Sequence, residues 1–280
     1  MSTRSVRRWG RRNAIDVIGI VIGVLFMLPI AWLVIASITP GGSLGAFPPE
    51  FFPADPTLAN YIEAFTRFNF GGFFINSVVV ATLSTALVVV FGAPAAYGLA
   101  RTRSRGRTTI LVALLVVSIF PVIAVLTPLY ITFSAMGWLN SYQALVVPYT
   151  ALNLPFGVWV MRNSFLAIPF EMEEAARVDG ASELRTVWSV ILPQAVPGIF
   201  VAAVLTFVAC WQEFLLALSF NSNAAYQTAP VGIALFGGSF IQPYGTIFAA
   251  SVVALLPVAA IVVALRRWVI GGISQGAVKG

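Results

Sequence analysis

A long stretch of this sequence carries no acidic or basic side chain. Residues 108–161 read TTILVALLVVSIFPVIAVLTPLYITFSAMGWLNSYQALVVPYTALNLPFGVWVM. A helix needs about 20 mostly apolar residues to cross a bilayer core, so this stretch is too long for one crossing. Turn-forming residues and interfacial aromatics meet at residues 136–142, MGWLNSY. We therefore predict a hairpin of two membrane-spanning helices, over residues 108–133 and 142–162.

The composition extends this prediction to the whole chain. Of its 280 residues, 59% are hydrophobic and 9% are charged, whereas a soluble domain has about 45–50% apolar and about 25% charged residues. The chain has no histidine and one cysteine, which excludes an intrachain disulfide and a Cys/His metal cluster. Because the apolar runs are continuous rather than alternating, they favour helices over barrel strands. The sequence therefore predicts an all-α polytopic membrane protein.

Four further apolar segments complete a predicted set of six transmembrane helices. They cover residues 15–38, 74–100, 198–220 and 246–266. With the hairpin, they predict a single transmembrane domain over residues 1–280. Prolines inside most of these segments predict kinks. The first segment is longer than the apolar core of a signal peptide, so we expect an uncleaved anchor.

The 16 lysine and arginine residues indicate the orientation of the chain. All but Arg67 fall before the first segment, after the second, in the fourth connection or after the last. The positive-inside rule then places both termini in the cytoplasm. The net charge of +6 therefore reflects membrane topology, and we expect no nucleic acid partner.

The fourth connection, residues 163–197, contains five of the ten acidic residues. Pro169 fits the first position of a short helix, and Gly180 fits a left-handed cap at its end. Ser182 fits the N-cap of a second short helix. We predict that Pro193 ends this second helix and that Pro197 opens the fifth span.

The first of these short helices combines a small-residue centre with an acidic rim. Ala175 and Ala176 would let another surface approach closely, and Glu174 and Asp179 would rim that surface with charge. Such a helix fits a cleft on a partner protein. The residues by themselves equally allow a solvated loop whose glutamates only cap a helix. The second short helix carries apolar residues at helical spacing: Leu184, Val187, Trp188 and Ile191.

The segment from Glu174 to Gly180, EAARVDG, closely resembles the EAA signature of binding-protein-dependent ABC import permeases. The pattern joins a Glu-Ala-Ala triplet, a glycine four residues after the last alanine and a later Ile-x-Pro element at 191–193. Other segments resemble the carbohydrate branch of this family, in particular the maltose-type second permease subunit. They are residues 76–81 (NSVVVA), 95–101 (AAYGLAR), 162–169 (RNSFLAIP), 211–214 (WQEF) and 276–280 (GAVKG). Gln212 departs from this pattern, which has asparagine there.

The resemblance implies a type I ABC importer permease, with a cytoplasmic coupling helix, in the prokaryotic cytoplasmic membrane. A second permease subunit would complete the path for a sugar, and an ATP-binding cassette subunit dimer would hold ATP and magnesium. An extracytoplasmic solute-binding lipoprotein would deliver the substrate. The residues implied to couple to the ATPase are Glu174, Ala175, Ala176, Asp179, Gly180, Leu192 and Pro193.

The chain itself lacks the residues that ATP hydrolysis needs. No phosphate-binding loop occurs in the sequence, and its only lysine is Lys279. We therefore expect a transport subunit that is not an enzyme and binds no cofactor of its own.

Glu213 is the only acidic or basic residue well inside a predicted span, and an intramembrane acid is a functional candidate by default. With Trp211 and Gln212 it suits a vestibule or gate that faces a sugar. The same carboxylate suits a structural bond to a neighbouring helix or to the sister subunit. Asn76 and Asn153 are further candidates for the translocation path, and either suits helix–helix bonding equally well.

Two other classes of function compete with the importer. A stand-alone secondary transporter usually has ionisable groups near the membrane midplane and internal repeats. This sequence has one glutamate inside a span, Glu213, which lies away from the midplane, and it has no obvious duplication. A membrane enzyme needs paired carboxylates or a metal site, and the acidic pairs here are confined to residues 163–197. The substrate stays open between a di- or oligosaccharide and a glycerol-phosphate or polyol-type solute.

Overall fold

A computed structural model of the chain describes residues 3–41, 43–44, 51–102, 106–237 and 242–276. Within these ranges the secondary structure is helical, without strands. The α-helices are α1 Thr3–Ser37, α2 Ala59–Thr66, α3 Phe70–Arg101, α4 Gly106–Ile119, α5 Val122–Ala135, α6 Gln143–Ala167, α7 Glu171–Val178, α8 Glu183–Thr186, α9 Leu192–Trp211, α10 Leu215–Phe220, α11 Ala229–Ala234 and α12 Tyr244–Gly276. A π-helical turn, Val187–Ile191, joins α8 to α9. Most of the family-like segment at 276–280 lies outside the described residues.

Five of the described segments are long and apolar enough to cross a membrane. They are Asp16–Ser37, Phe70–Arg101, Gln143–Ala167, Glu183–Trp211 and Tyr244–Ala264. A sixth span results if α4 and α5 are counted as one broken segment. The prediction of an all-α polytopic membrane protein is thus confirmed.

The third predicted span is broken in the middle. The sequence predicts one helix over residues 108–133, whereas α4 and α5 meet at an angle of 85°. The break falls at Pro121, which takes an extended conformation (φ −64°, ψ 123°) as the N-cap of α5. Proline removes a backbone donor and clashes with the preceding turn, which explains why the helix ends there.

The fifth predicted span is displaced toward the N-terminus. Helix α8, the π turn and α9 form one segment from Glu183 to Trp211, so the prediction that Pro193 ends a helix is wrong. Pro193 lies in the first turn of α9, directly after the π turn. A π turn widens the helix locally, which accommodates the proline ring without a break. The helix instead breaks after Trp211 and resumes at Leu215.

The chain divides into two compact units: a first unit of residues 1–70 and 233–256, and a second unit of residues 71–232 and 257–280. In the first unit, α2 is bound to the ends of two membrane helices. The buried side-chain amide of Asn60 donates to the carbonyl oxygens of Ser37 (2.9 Å) and Thr39 (2.8 Å), at the end of α1. The hydroxyl of Thr246, near the start of α12, donates to Glu63 (2.7 Å).

Among the described residues of the second unit, buried side chains form two clusters. One cluster includes Val80, Leu145, Tyr149, Trp211, Leu216 and Phe220. The other includes Ala96, Val158, Met161, Phe165, Ile191 and Ala195. Glycines let the backbones of α3, α6 and α9 approach closely. A Cβ at Gly157 of α6 would lie 2.7 Å from Val88 of α3, and one at Gly198 of α9 would lie 1.6 Å from Ser164 of α6.

Candidate coupling and translocation sites

Helix α7 is the helix of the EAA-like segment. Its first turn carries three glutamates, where the positive end of the helix dipole favours negative charge. The helix ends in a Schellman motif at Gly180, which has a φ of +81°. The N–H of Gly180 donates to Arg177 O (3.0 Å), and the N–H of Ala181 donates to Ala176 O (2.9 Å). The predicted left-handed cap at Gly180 is confirmed.

The residues that flank α7 differ in how they match the prediction. Ser182 caps α8 as predicted, since its Oγ accepts a hydrogen bond from the N–H of Arg185 (3.4 Å). Pro169, in contrast, lies before the helix, which begins at Glu171. The carbonyl of Pro169 accepts from the N–H of Met172 (3.3 Å), so the proline leads into the helix from outside it.

The residues implied to meet the ATPase do not all lie on one surface. Glu174, Ala175, Asp179 and Gly180 are exposed, whereas Ala176 is buried. On α9, Leu192 is half-buried and Pro193 is exposed. The expectation that both alanines are open to a partner is therefore corrected, because the helix rotates Ala176 inward and leaves Ala175 on the surface.

The apolar face predicted for the second short helix is divided between core and surface. Ile191 is buried in the second unit, whereas Leu184 and Trp188 are 75% and 68% exposed. Val178, at the end of α7, is also exposed. Exposed apolar side chains in such a group are typical of a surface that another molecule covers.

Glu173 is a residue that the sequence analysis did not single out. Its side chain is 1% exposed, and its Oε1 lies 2.5 Å from Nε of Arg101, the last residue of α3. Its Oε2 accepts a hydrogen bond from the hydroxyl of Tyr97 (3.2 Å). Arg101 also donates to the carbonyl of Ile168 (3.2 Å). A signal was available, since Tyr97 and Arg101 belong to the family-like segment 95–101, but the arginine was assigned to topology alone.

Arg162 also binds the end of α3. Its side chain is buried, and its Nε donates to the carbonyl oxygen of Leu99 (3.4 Å). The last carbonyls of a helix lack helical partners, so a cation satisfies them and complements the dipole. Two family-like segments, 95–101 and 162–169, therefore meet beside the start of α7.

Glu213 lies in the break between α9 and α10, rather than inside a helical span. Its carboxylate accepts hydrogen bonds from the hydroxyl of Tyr149 on α6 and from the N–H groups of Leu216 (2.8 Å) and Ala217 (3.2 Å). These N–H groups lie in the first turn of α10, where helical acceptors are missing. The carboxylate thus caps α10 and joins it to α6.

A cavity of about 230 Å³ lies beside Glu213. Its wall includes Ser118 and Phe120 at the break after α4, Tyr149 and Asn153 of α6, and Glu213. Apolar walls with a few polar groups are typical of small-molecule sites. The side-chain amide of Asn153 donates within its own helix to Tyr149 O (2.8 Å). Of the five residues predicted for the translocation path, Asn153 and Glu213 line this cavity.

Trp211 and Gln212 take different positions beside the break. Trp211 is buried, and its ring packs against those of Phe74 and Phe207 at centroid distances of 5.5 and 5.7 Å. Gln212 is exposed. Trp211 therefore belongs to the core of the second unit.

Asn76 joins α3 to the segment that precedes α11. Its buried side-chain amide donates to the carbonyls of Ala225 and Gln227, both at 2.9 Å. Its Oδ1 accepts from the hydroxyl of Tyr142 (2.7 Å). These three bonds make Asn76 a structural residue in this conformation, apart from the cavity beside Glu213.

Known proteins resemble this chain over nearly its whole length. The family model described as binding-protein-dependent transport system inner membrane component matches residues 88–275. The chain is 42% identical over 254 residues to the sulfoquinovosyl glycerol transport system permease protein of Agrobacterium fabrum, covering 91% of this chain and 89% of that protein. It is 33% identical over 264 residues to the trehalose/maltose transport system permease protein of Thermococcus litoralis, covering 93% and 94%. It is 35% identical over 256 residues to the trehalose transport system permease protein of Mycobacterium tuberculosis, covering 91% and 93%.

Solved structures show the same fold. A chain in the crystal structure of a bacterial ABC transporter involved in alginate import matches with a TM-score of 0.78 at 22% identity, covering 95% of this chain and 98% of that chain. A chain of the inward-facing methionine ABC transporter matches with a TM-score of 0.54 at 23% identity, covering 70% and 92%. The chain thus belongs to the family of binding-protein-dependent transport system inner membrane components, and it is a multi-pass permease subunit of an ABC importer.

Proposed function

We propose that this chain forms one half of the translocation path of an ATP-driven importer for a di- or oligosaccharide. Its partners are a second permease subunit, an ATP-binding cassette subunit dimer that holds ATP and magnesium, and an extracytoplasmic solute-binding lipoprotein. Both termini lie in the cytoplasm of a prokaryotic cell, as the distribution of arginines indicates. The observation that carries the proposal is the capped, outward-facing α7.

The surface of α7 and its neighbours suits the cleft of an ATPase subunit. Glu174, Ala175 and Asp179 offer an acidic rim around a small residue, and all three are exposed. Leu184 and Trp188 extend this surface with apolar area that burial in a partner would stabilise. The Schellman motif at Gly180 fixes the turn between the two helices, so α7 is held in one orientation.

The names of the relatives support a sugar as the cargo. The similar permeases described above serve systems for trehalose, maltose and sulfoquinovosyl glycerol. The cavity beside Glu213 offers a carboxylate and an asparagine, and sugar hydroxyls donate readily to such oxygens.

The charge of the same cavity favours a sugar without a phosphate group over glycerol phosphate. A phosphate would meet the carboxylate of Glu213, and like charges repel strongly where water is scarce. Among the described residues of the cavity wall, no lysine or arginine offsets this repulsion. Hydroxyl groups, in contrast, gain an ionised acceptor.

Reconstitution tests the proposed function. The chain, its partner subunits and the binding protein are placed in proteoliposomes, and uptake of labelled trehalose, maltose and glycerol phosphate is measured. We expect sugar uptake that requires both ATP and the binding protein. Uptake by this chain alone, driven by an ion gradient, would instead identify a secondary transporter. Preferred uptake of glycerol phosphate would contradict a di- or oligosaccharide as the substrate.

A further inference from the structure

The Glu173–Arg101 pair is buried, and this sets it apart from an exposed ion pair on the same loop. The Glu173 and Arg101 side chains are 1% and 15% exposed. Arg177 and Glu183, whose closest atoms are 3.3 Å apart, are 47% and 85% exposed. An exposed pair contributes little to stability. Burying two charges, in contrast, is costly unless the geometry is good and further hydrogen bonds satisfy them.

The geometry around this pair meets that requirement. Both carboxylate oxygens of Glu173 are bound by α3, one by Arg101 (2.5 Å) and the other by Tyr97 (3.2 Å). Arg101 also binds the carbonyl of Ile168, in the link between α6 and α7 (3.2 Å). Because two residues one turn apart on α3 hold one carboxylate, α7 cannot rotate or slide along α3 without breaking these bonds. Glu173 therefore faces inward, while the next residue, Glu174, faces outward.

Helix α3 is in turn closely packed on α6. A Cβ at Gly92 would lie 2.5 Å from Cε of Met161, and one at Gly157 would lie 2.7 Å from Cγ1 of Val88. Such close contacts leave little room for the two helices to slide independently. Helix α6 also carries Tyr149 and Asn153, which line the cavity beside Glu213. A contiguous set of packed helices thus connects α7 with the cavity.

We propose that Glu173, Arg101 and Tyr97 are positioning residues that lock α7 to α3, so that a displacement of α7 moves α3 and α6 with it. This inference rests on the proposed coupling of α7 to an ATPase. The three residues act through α7 and touch neither the ATPase nor the sugar. Their role differs from that of the exposed EAA residues, which offer the surface that a partner meets.

The test compares Glu173→Gln with Glu183→Gln in the reconstituted complex. Glu173→Gln removes the buried charge at nearly constant shape, and Glu183→Gln breaks the exposed pair on the same loop. We expect Glu173→Gln to retain ATP hydrolysis but to lower the sugar transported per ATP by about tenfold, within the range that mutations along a coupled network produce. The control, Glu183→Gln, should keep the wild-type ratio.

A distance measurement tests the lock itself. The single native cysteine, Cys210, is first replaced by alanine, and spin labels are placed at the exposed positions 90 on α3 and 171 on α7. We expect a narrow distance distribution in the wild-type background and a broad one with Glu173→Gln. Tyr97→Phe removes only the hydroxyl, so it should broaden the distribution less, and it decides the question if Glu173→Gln does not assemble.

The outcomes separate the two proposals. The lock is overturned if the Glu173→Gln or Tyr97→Phe complex transports as much sugar per ATP as the wild type and shows an unbroadened distance distribution. This result would leave the proposed function as an importer unaffected. If the wild-type complex shows no ATP-dependent sugar uptake, the proposed function fails and the inference that rests on it falls with it. A lower transport ratio with a broadened distribution supports both.

Discussion

Two carboxylates of the second unit differ in what neutralises them. Glu173 is paired with the guanidinium of Arg101 at 2.5 Å. Glu213 accepts bonds from a tyrosine hydroxyl and two backbone N–H groups, and no salt bridge to it occurs in the described part of the chain. The first carboxylate has its charge matched and suits an anchor. The second keeps an unmatched charge beside a cavity and suits an acceptor for sugar hydroxyls.

The comparison also shows what a sequence signature marks. In the EAA-like segment, Glu174 and Ala175 face outward, where the proposed ATPase partner would meet them. The residue that fixes the helix from inside, Glu173, lies directly before Glu174 but points away from it. One step along a helix turns the side chain by about 100°, so neighbouring glutamates take opposite roles.

The largest effect is expected from Gly180→Pro, which tests whether the orientation of α7 is needed for coupling. Proline fixes φ near −65° and has no N–H, whereas Gly180 has a φ of +81° and donates to Arg177 O. We expect sugar uptake to fall to background while the complex stays assembled in the membrane. Uptake and ATP hydrolysis are measured in proteoliposomes.

The chain offers a matched control for this proline. Glu183 is the first residue of α8 after its N-cap Ser182, where proline is tolerated. Glu183→Pro should therefore transport nearly as wild type does. Wild-type uptake in the Gly180→Pro complex would show that the turn after α7 is not needed for coupling.

Glu173→Ala measures how strongly the anchor stabilises the chain. Truncating one partner leaves the largely buried charge of Arg101 without its carboxylate, so we expect the free energy of unfolding to fall by about 3–5 kcal/mol. Glu183→Ala, in the exposed pair, should cost less than about 1 kcal/mol. Unfolding of the purified complex in an SDS titration gives both values, and equal effects of the two changes would remove the distinction between a buried and an exposed pair.

Glu213→Gln tests the other carboxylate. Glutamine keeps the shape but loses the charge, so sugar hydroxyls lose an ionised acceptor. We expect assembly to stay intact and the KM for uptake to rise about tenfold, equivalent to about 1.4 kcal/mol. Tyr149→Phe serves as the control, because it removes a donor and leaves the charge of Glu213 unchanged. Loss of the complex with Glu213→Gln would assign this carboxylate to structure alone.

The prediction with the smallest expected effect concerns a third carboxylate, Glu63 in the first unit, and the dependence of stability on pH. Its pKa is lowered from 4.5, first by the hydrogen bond from Thr246 and then by Arg67. A lowered pKa contributes stability at pH values above 4.5, and this contribution is lost as the pH falls through the folded-state pKa. Thr246→Val should reduce this acid sensitivity. Melting curves of the two proteins below pH 4.5 check this, and identical pH dependence would contradict it.

The apolar runs and the caps could be predicted because they depend on residues close together in the sequence. Gly180 and Ser182 each cap a helix that lies directly beside them. The outcome at prolines could not be predicted in the same way. Pro121 breaks a helix, whereas Pro128 lies inside α5 and Pro193 inside α9. Neighbouring turns and packing decide whether the backbone carbonyl that loses its donor to a proline finds another partner, so that the helix can continue.

The anchor could not be predicted because it joins distant parts of the chain. Glu173 and Arg101 are 72 positions apart. Their contact depends on how α3, α6 and α7 pack. The role of Glu213 could not be predicted from the sequence for a related reason. A single span from 198 to 220 would have buried it among helices, whereas the break after Trp211 places it at the start of α10.

Photo-cross-linking at position 175 tests the central claim most directly. Ala175 is exposed on α7, and Val90 is exposed on α3. A photoreactive amino acid is placed at each position in turn, and the complex is irradiated in its native membrane. We expect position 175 to cross-link to an ATP-binding subunit and position 90 not to do so. Absence of this product at position 175, in a complex that imports sugar with ATP, would contradict coupling through α7.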